Sequence, residues 1–104
     1  MINESGLRPL GLAVLVVPYE PEEVKKSVIV IPDTAKERQV LLEQRAIVVE
    51  VGPEAWRDEQ SPRAKPGDKV MIGKFAGAMI IGPKDGKQYR MVNDRDIFAG
   101  LEEV

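Results

Sequence analysis

The chain has 104 residues, with 15 basic and 17 acidic side chains, and it contains neither cysteine nor histidine. This length predicts a single domain, residues 1–104. The missing residue types exclude disulfides, thiolate zinc sites and nucleophile–histidine pairs, and the balanced, interspersed charges argue against a nucleic acid partner. We therefore expect a protein that is not an enzyme and that has no metal, cofactor or catalytic residues.

The N-terminal stretch predicts a soluble protein that starts with a buried strand. Residues 1–5 lack the basic region of a secretory signal, and the longest apolar stretch, residues 10–17, is shorter than the ~20 residues that span a bilayer. We expect a cytoplasmic protein without a membrane partner. Residues 12–17 predict the first strand, which Pro18 ends, and their near-continuous apolarity predicts burial on both faces.

A second extended piece follows at the run Val28-Ile29-Val30-Ile31, which Pro32 ends. β-branched side chains favour an extended backbone and point to both faces of it. Taken alone, such a run is more often a buried strand than a recognition motif, but on a loop it would expose an apolar hook. The next stretch is ambiguous, because residues 34–37 match a helical capping box while residues 39–45 also suit an extended ribbon, which we favour.

The rest of the chain reads as short strands separated by proline and glycine, which indicates an all-β fold. An Asp85-Gly86 turn predicts that the fifth and sixth extended pieces form a hairpin. The long loop at residues 53–66 contains Trp56, and loops of more than ~12 residues in compact domains are often functional. The predicted strands are residues 46–51, 70–72, 79–81, 88–92 and 97–101.

Six stretches, in order along nearly the whole chain, match the motifs of one known protein family. The most specific is Ile29-Val30-Ile31-Pro32-Asp33-Thr34-Ala35-Lys36-Glu37, which is similar to the family's mobile-loop sequence. The opening Leu7-Arg8-Pro9-Leu10 is similar to the family's Ile-Arg-Pro-Leu. The others are Val49-Glu50-Val51-Gly52-Pro53, Lys65-Pro66-Gly67-Asp68-Lys69-Val70, Lys74-Phe75-Ala76-Gly77 and Asn93-Asp94-Arg95-Asp96-Ile97-Phe98-Ala99. Together the six stretches resemble the GroES-type co-chaperonins of the chaperonin-10 family. Residues 38–45 and 54–56 resemble co-chaperonins carried by bacteriophages.

The resemblance implies a small, partly open β-barrel with a long mobile loop at residues 22–39 and a roof loop at residues 53–66. It implies a homo-oligomeric ring of seven subunits that caps a GroEL-type chaperonin and closes a cage around an unfolded client protein. By position, the chaperonin-binding residues are Ile29, Val30 and Ile31, with Val28 beside them. Ser27 and Val28 stand where the family has two glycines, which predicts a stiffer loop.

The resemblance also places a subunit interface. In the family, the first strand of one subunit pairs with the last strand of its neighbour, which here joins Leu7, Arg8, Pro9 and Leu10 to Phe98, Ala99, Gly100 and Leu101. Leu12-Ala13 replaces the family's Asp-Arg, so we expect apolar packing where relatives have a polar contact.

Two aromatic residues are candidates for the roof or the cavity wall. Trp56 either meets its copies at the apex of the ring or folds onto its own barrel, and Phe75 either faces the cage or belongs to the core.

Two other protein classes are weighed against this interpretation. A stand-alone OB-like barrel that binds a small ligand or an oligonucleotide would need a basic, aromatic face, which two Phe, two Tyr and one Trp in a net-acidic chain do not provide. A barrel like the catalytic half of zinc alcohol dehydrogenases would need Cys and His ligands, and the chain has neither.

Overall fold

A computed structural model of the chain describes residues 2–19, 44–73 and 76–102. Within these ranges the only helical element is a short 3₁₀ turn, Asp94–Asp96, and the regular structure is otherwise β. The predicted all-β fold is therefore confirmed. The strands are β1 (Ala13–Pro18), β2 (Arg45–Val51), β3 (Lys69–Ile72), β4 (Ala78–Ile81), β5 (Gln88–Asn93) and β6 (Ile97–Gly100).

The six strands form one antiparallel sheet in the order β4-β5-β1-β2-β3-β6. Strands that are far apart in this order nevertheless share one core: Val92 of β5 and Ile97 of β6 belong to the same buried cluster as Val48 of β2. A flat sheet could not bring them together, so the sheet curls around its core into a partly open barrel. β4 and β6 are its two edge strands, and each pairs with one neighbour in the described chain.

β1 is buried on both faces, as its apolar sequence predicts. Val14 and Val16 point into the barrel, where they pack with the inward residues of the other strands. Leu15 points to the opposite face and forms a second cluster with Val49 and Tyr89. Leu7, from the segment before β1, packs against this second cluster and covers it from outside.

The N-terminal segment is held on this outer face by a small polar network. Ser5 is fully buried, and its hydroxyl donates to Asn3 Oδ1 at 2.6 Å while it accepts from the Leu7 amide at 2.9 Å. The Asn3 side chain also donates to Glu50 of β2 at 3.0 Å, and the Lys84 amide donates to the Ser5 carbonyl at 2.9 Å. These bonds fix the segment against both β2 and the turn between β4 and β5.

The predicted Asp-Gly hairpin is present and joins β4 to β5. Gly86 has φ +73°, a left-handed conformation that glycine adopts without steric cost, and its amide donates to the Gly82 carbonyl at 2.9 Å. The Tyr89 hydroxyl donates to the Asp85 carboxylate across the turn. This hydrogen bond raises the pKa of Tyr89 to about 12 and lowers the pKa of Asp85.

Candidate functional site

In the described part of the subunit, β6 leaves one of its edges open. Among the strands described, it pairs with β3 alone, matching Gly100 to Val70 and Ala99 to Met71, with an irregularity before the next pair, Ile97 and Ile72. An edge strand of this kind presents unpaired amides and carbonyls to which another strand can be added. Phe98 lies on this strand with 58% of its surface exposed.

The hydrogen bonds to β3 show which groups of β6 point outward. The Leu101 amide donates to the Lys69 carbonyl at 2.8 Å, and the Gly73 amide donates to the Asp96 carbonyl at 3.1 Å. In an antiparallel ladder, bonded and non-bonded pairs alternate. Gly100 comes directly before Leu101, and Ile97 comes directly after Asp96, so both occupy non-bonded positions relative to β3. Their backbone amides and carbonyls therefore point away from β3, toward the open edge.

One outward group on this edge is already occupied by a side chain. Arg63 Nη1 donates to the Ile97 carbonyl at 2.6 Å, and its Nε lies 3.0 Å from both carboxylate oxygens of Glu59. The hydrogen bond to Glu59 is the main cause that raises the pKa of Arg63. The guanidinium is thus held by the loop at residues 53–66 and placed on the first outward carbonyl of β6.

In the segment at residues 7–10, covered and exposed side chains alternate. Leu7 is half-buried and Pro9 is buried, whereas Arg8 is exposed and Leu10 has 67% of its surface exposed. The segment precedes β1 and pairs with no strand in the described part of the subunit. The Leu10 carbonyl accepts from the Ala13 amide at 3.0 Å, which fixes the end of the segment to the start of β1.

Trp56 lies inside its own subunit. Only 3% of its surface is exposed, and its indole joins the barrel cluster together with Ala64 of the same loop. Its amide donates to Asp94 Oδ2 at 2.8 Å, and its indole Nε1 donates to the Asp94 carbonyl at 2.9 Å. The Trp56 side chain is therefore folded onto its own barrel, which is one of the two interpretations given in the sequence analysis. Residues 53–66 contain turns and bends but no strand, and Trp56 and Ala64 of this loop pack in the barrel core.

Comparison with known proteins identifies the family. The model of the family described as "Chaperonin 10 Kd subunit" matches residues 6–101. The chain is 42% identical to a protein named Co-chaperonin GroES from Methylacidiphilum infernorum over 103 residues, which cover 95% of this chain and 97% of that protein. The chain belongs to the chaperonin 10 family. Proteins of the same name from Caldicellulosiruptor saccharolyticus and Acetivibrio thermocellus are 39% and 42% identical over 99 residues, with 93% of this chain and 98% and 99% of theirs covered.

Membership in the chaperonin 10 family confirms the resemblance drawn from the motifs. The predicted chaperonin-binding residues, Val28 and Ile29-Val30-Ile31, lie outside the described residues, as does Phe75. The predicted helix or ribbon at residues 34–45 also lies outside them, except for its last two residues. The roles of these residues stay predictions, and so does the bacteriophage resemblance.

The described part of this chaperonin 10 chain gives no sign of a metal centre or a membrane span. Across residues 2–19, 44–73 and 76–102, no group of three or more acidic side chains could hold a metal ion. In the same ranges no helix is long and apolar enough to cross a membrane.

Two residues of this chaperonin 10 chain that shape the site were missed from the sequence. No sequence pattern indicated a role for Arg63, because an arginine in a loop of prolines and charged residues is usually a solvated surface residue. Asp94 did have a sequence signal. Asn93 and Asp96, three residues apart, form the capping box of the 3₁₀ turn that contains Asp94.

Proposed function

We propose that seven copies of this chain form a ring that caps a GroEL-type chaperonin and closes its cage for ATP-dependent folding of an enclosed client protein. The observation that supports this most is the chaperonin 10 match across residues 6–101, which includes the run Ile29-Val30-Ile31. The protein then acts in the cytoplasm as a structural partner with no catalytic role. ATP is bound and hydrolysed by the chaperonin, and this chain carries no phosphate-binding loop motif.

The ring forms by strand addition between neighbouring copies. Residues 7–10 of one copy pair with the open edge at Phe98, Ala99, Gly100 and Leu101 of the next. The contact joins two different surfaces, so it is heterologous and closes into a ring when the angle between copies allows. Leu10 and Phe98 are both largely exposed in the single subunit, and burying them against each other would stabilise the contact.

The loop contact explains why a ring is needed. Burying the side chains of Ile29, Val30 and Ile31 contributes about 1.5 to 3 kcal/mol each. Ordering a loop costs on the order of 1 to 2 kcal/mol per residue, so one loop alone binds weakly. Several loops on one rigid ring make each later contact intramolecular, and weak contacts then add to a firm but reversible attachment.

Native mass spectrometry of the purified protein tests the ring. A species of seven copies is expected. A monomer at micromolar concentration would contradict the proposed assembly and would favour a stand-alone barrel that binds a ligand.

Capture by a GroEL-type chaperonin in the presence of ATP tests the loop. Ile29→Asp and Ile31→Asp should each abolish capture and leave the ring intact, because each forces a charge into an apolar groove. Ile81→Asp is the matched control, since Ile81 is an exposed isoleucine on the edge strand β4, 55% exposed, and lies outside the proposed contact. Undiminished capture by the Ile29 and Ile31 variants would refute the proposed loop contact even if the ring forms.

A further inference from the structure

The open edge of β6 has two outward positions that differ in what occupies them. At Ile97 the outward carbonyl accepts a hydrogen bond from Arg63 at 2.6 Å. At Gly100 the pairing with Val70 leaves the amide and the carbonyl facing outward, and a Cβ added to Gly100 would meet no atom within 4 Å. Among the described residues, the edge is therefore occupied at Ile97 by Arg63 and unoccupied from Phe98 to Gly100.

A strand that slides along an open edge can pair in more than one register. A shift of one residue turns every side chain to the other face, and a shift of two keeps the faces but moves the strand by about 6.8 Å. Segments with few distinguishing side chains are prone to such slips. Residues 7–10 form a short segment, so backbone pairing alone would discriminate weakly between registers.

We propose that Arg63 sets the register of the contact between copies: its guanidinium occupies the Ile97 carbonyl, so a strand from a second copy of this chain pairs with β6 only from Phe98 onward. This inference rests on the ring proposed above. An incoming strand that slipped toward Ile97 would have to displace a charge-assisted hydrogen bond, which is stronger than the neutral backbone bond that would replace it.

Glu59 holds the arginine in this place. Its two carboxylate oxygens lie 3.0 Å from Arg63 Nε, so the guanidinium is fixed on one side by Glu59 and directed on the other at the strand edge. Arg57, in the same loop, offers a contrast. It pairs with Glu54 at 3.4 Å, and 63% of its side chain is exposed. Two arginines of one loop thus differ in whether they reach the edge.

Disulfide cross-linking measures the register directly. The chain contains no cysteine, so only the introduced cysteines can form disulfides. Arg8→Cys is combined in turn with Phe98→Cys, Gly100→Cys and Glu102→Cys, and each pair is oxidised mildly. A disulfide needs Cα atoms about 4.4 to 6.8 Å apart, and adjacent positions of this panel differ by about 6.8 Å along the strand, so one register favours one pair.

With Arg63 present we expect one pair to give most of the cross-linked product. With Arg63→Met, which keeps an unbranched apolar stem and removes the donors, the ratio of the dominant pair to the next should fall about tenfold, the ratio that corresponds to the difference between a charge-assisted and a neutral hydrogen bond. Arg57→Met is the control and should give the same distribution of cross-linked pairs as the parent protein. Arg63→Lys, which retains a donor for the Ile97 carbonyl, should keep the dominant pair and serves as a second variant if Arg63→Met folds poorly.

The outcomes separate the register from the ring. A ring by native mass spectrometry with the same cross-link distribution in the Arg63→Met and parent backgrounds overturns the role of Arg63 and leaves the proposed function standing. A ring in which no pair of the panel cross-links shows that position 8 of one copy does not lie beside position 98, 100 or 102 of the next, and it overturns the proposed register and with it the role of Arg63. A monomeric parent protein overturns both the ring and the inference.

Discussion

Removing the carboxylate of Asp94 should destabilise the subunit, because this buried side chain holds Trp56 in place. Asp94 accepts the Trp56 amide at 2.8 Å through its carboxylate, while the indole bonds to its carbonyl at 2.9 Å. Trp56 has φ +57°, which is unfavourable for a residue with a side chain, so the turn depends on these contacts. In Asp94→Ala the carbonyl partner of the indole is kept, whereas the buried amide loses its charged acceptor.

A hydrogen bond to a charged group contributes roughly 1.5 to 3 kcal/mol, and we expect Asp94→Ala to lower the free energy of unfolding by about that amount. Asp94→Asn keeps an acceptor oxygen of the same shape and should lose about 1 kcal/mol or less. For a domain of this size each kcal/mol corresponds to about 4 to 8 °C in Tm. The two variants together separate the loss of the acceptor from the loss of the charge.

Urea unfolding followed by tryptophan fluorescence measures the effect, since Trp56 is the one tryptophan of the chain and sits at the site of the change. Protein concentration is held fixed, because assembly raises apparent stability by mass action. An Asp94→Ala protein within about 0.5 kcal/mol of the parent would refute the reasoning, because surface changes without structural consequence have effects of that size. Equal losses in Asp94→Ala and Asp94→Asn would show that the charge, and not the acceptor, matters.

Two further predictions concern the packing at Gly52 and the turn at Asp85. Gly52→Ala should lower Tm and cost about 1 to 3 kcal/mol, since a Cβ there would lie 2.5 Å from the Ala13 carbonyl oxygen. Gly73→Ala is the control and should unfold like the parent protein, because a Cβ there would meet only the Ala76 Cβ at an ordinary 3.7 Å. The hydrogen bond to Asp85 raises the pKa of Tyr89 from 10.0 to about 12, so the stability that Tyr89 adds over Tyr89→Phe should be complete below pH 10 and disappear as pH rises toward 12. A difference that stays constant between pH 9 and 12 in denaturant titrations would contradict this assignment.

Most of the fold could be predicted from local patterns. The predicted first strand, residues 12–17, is β1 at Ala13–Pro18, and the predicted strand at residues 88–92 is β5 at Gln88–Asn93. Short apolar runs ended by proline or glycine locate strands well, because these residues break the ladder on either side. Double-sided burial of β1 also followed from its composition, since polar residues are missing from both faces.

The contacts that shape the site could not be predicted in the same way. Arg63 and Ile97 are 34 residues apart, and Trp56 and Asp94 are 38 apart, so each contact depends on how the sheet curls and not on neighbouring residues. The strand order, in which β6 follows β3 at one edge, brings the 53–66 loop beside the last strand. No local pattern encodes that order, and for this reason an edge-capping arginine looked like an ordinary surface residue.

The register of the edge contact matters because the proposed ring is heterologous. Each copy gives residues 7–10 to one neighbour and receives the same segment at β6 from the other, so any error in the angle between two copies repeats at every contact around the ring. Heterologous contacts that fail to close continue as open filaments. A slip of two residues moves one copy by about 6.8 Å against the next, and such a displacement works against closure of the ring. A side chain that occupies the carbonyl at the start of the edge disfavours a slip toward Ile97 at every contact of the ring. Closure of the ring would then depend on Arg63 as well as on the apolar contact between Leu10 and Phe98, and loss of either should shift the population from closed rings to open chains or single subunits.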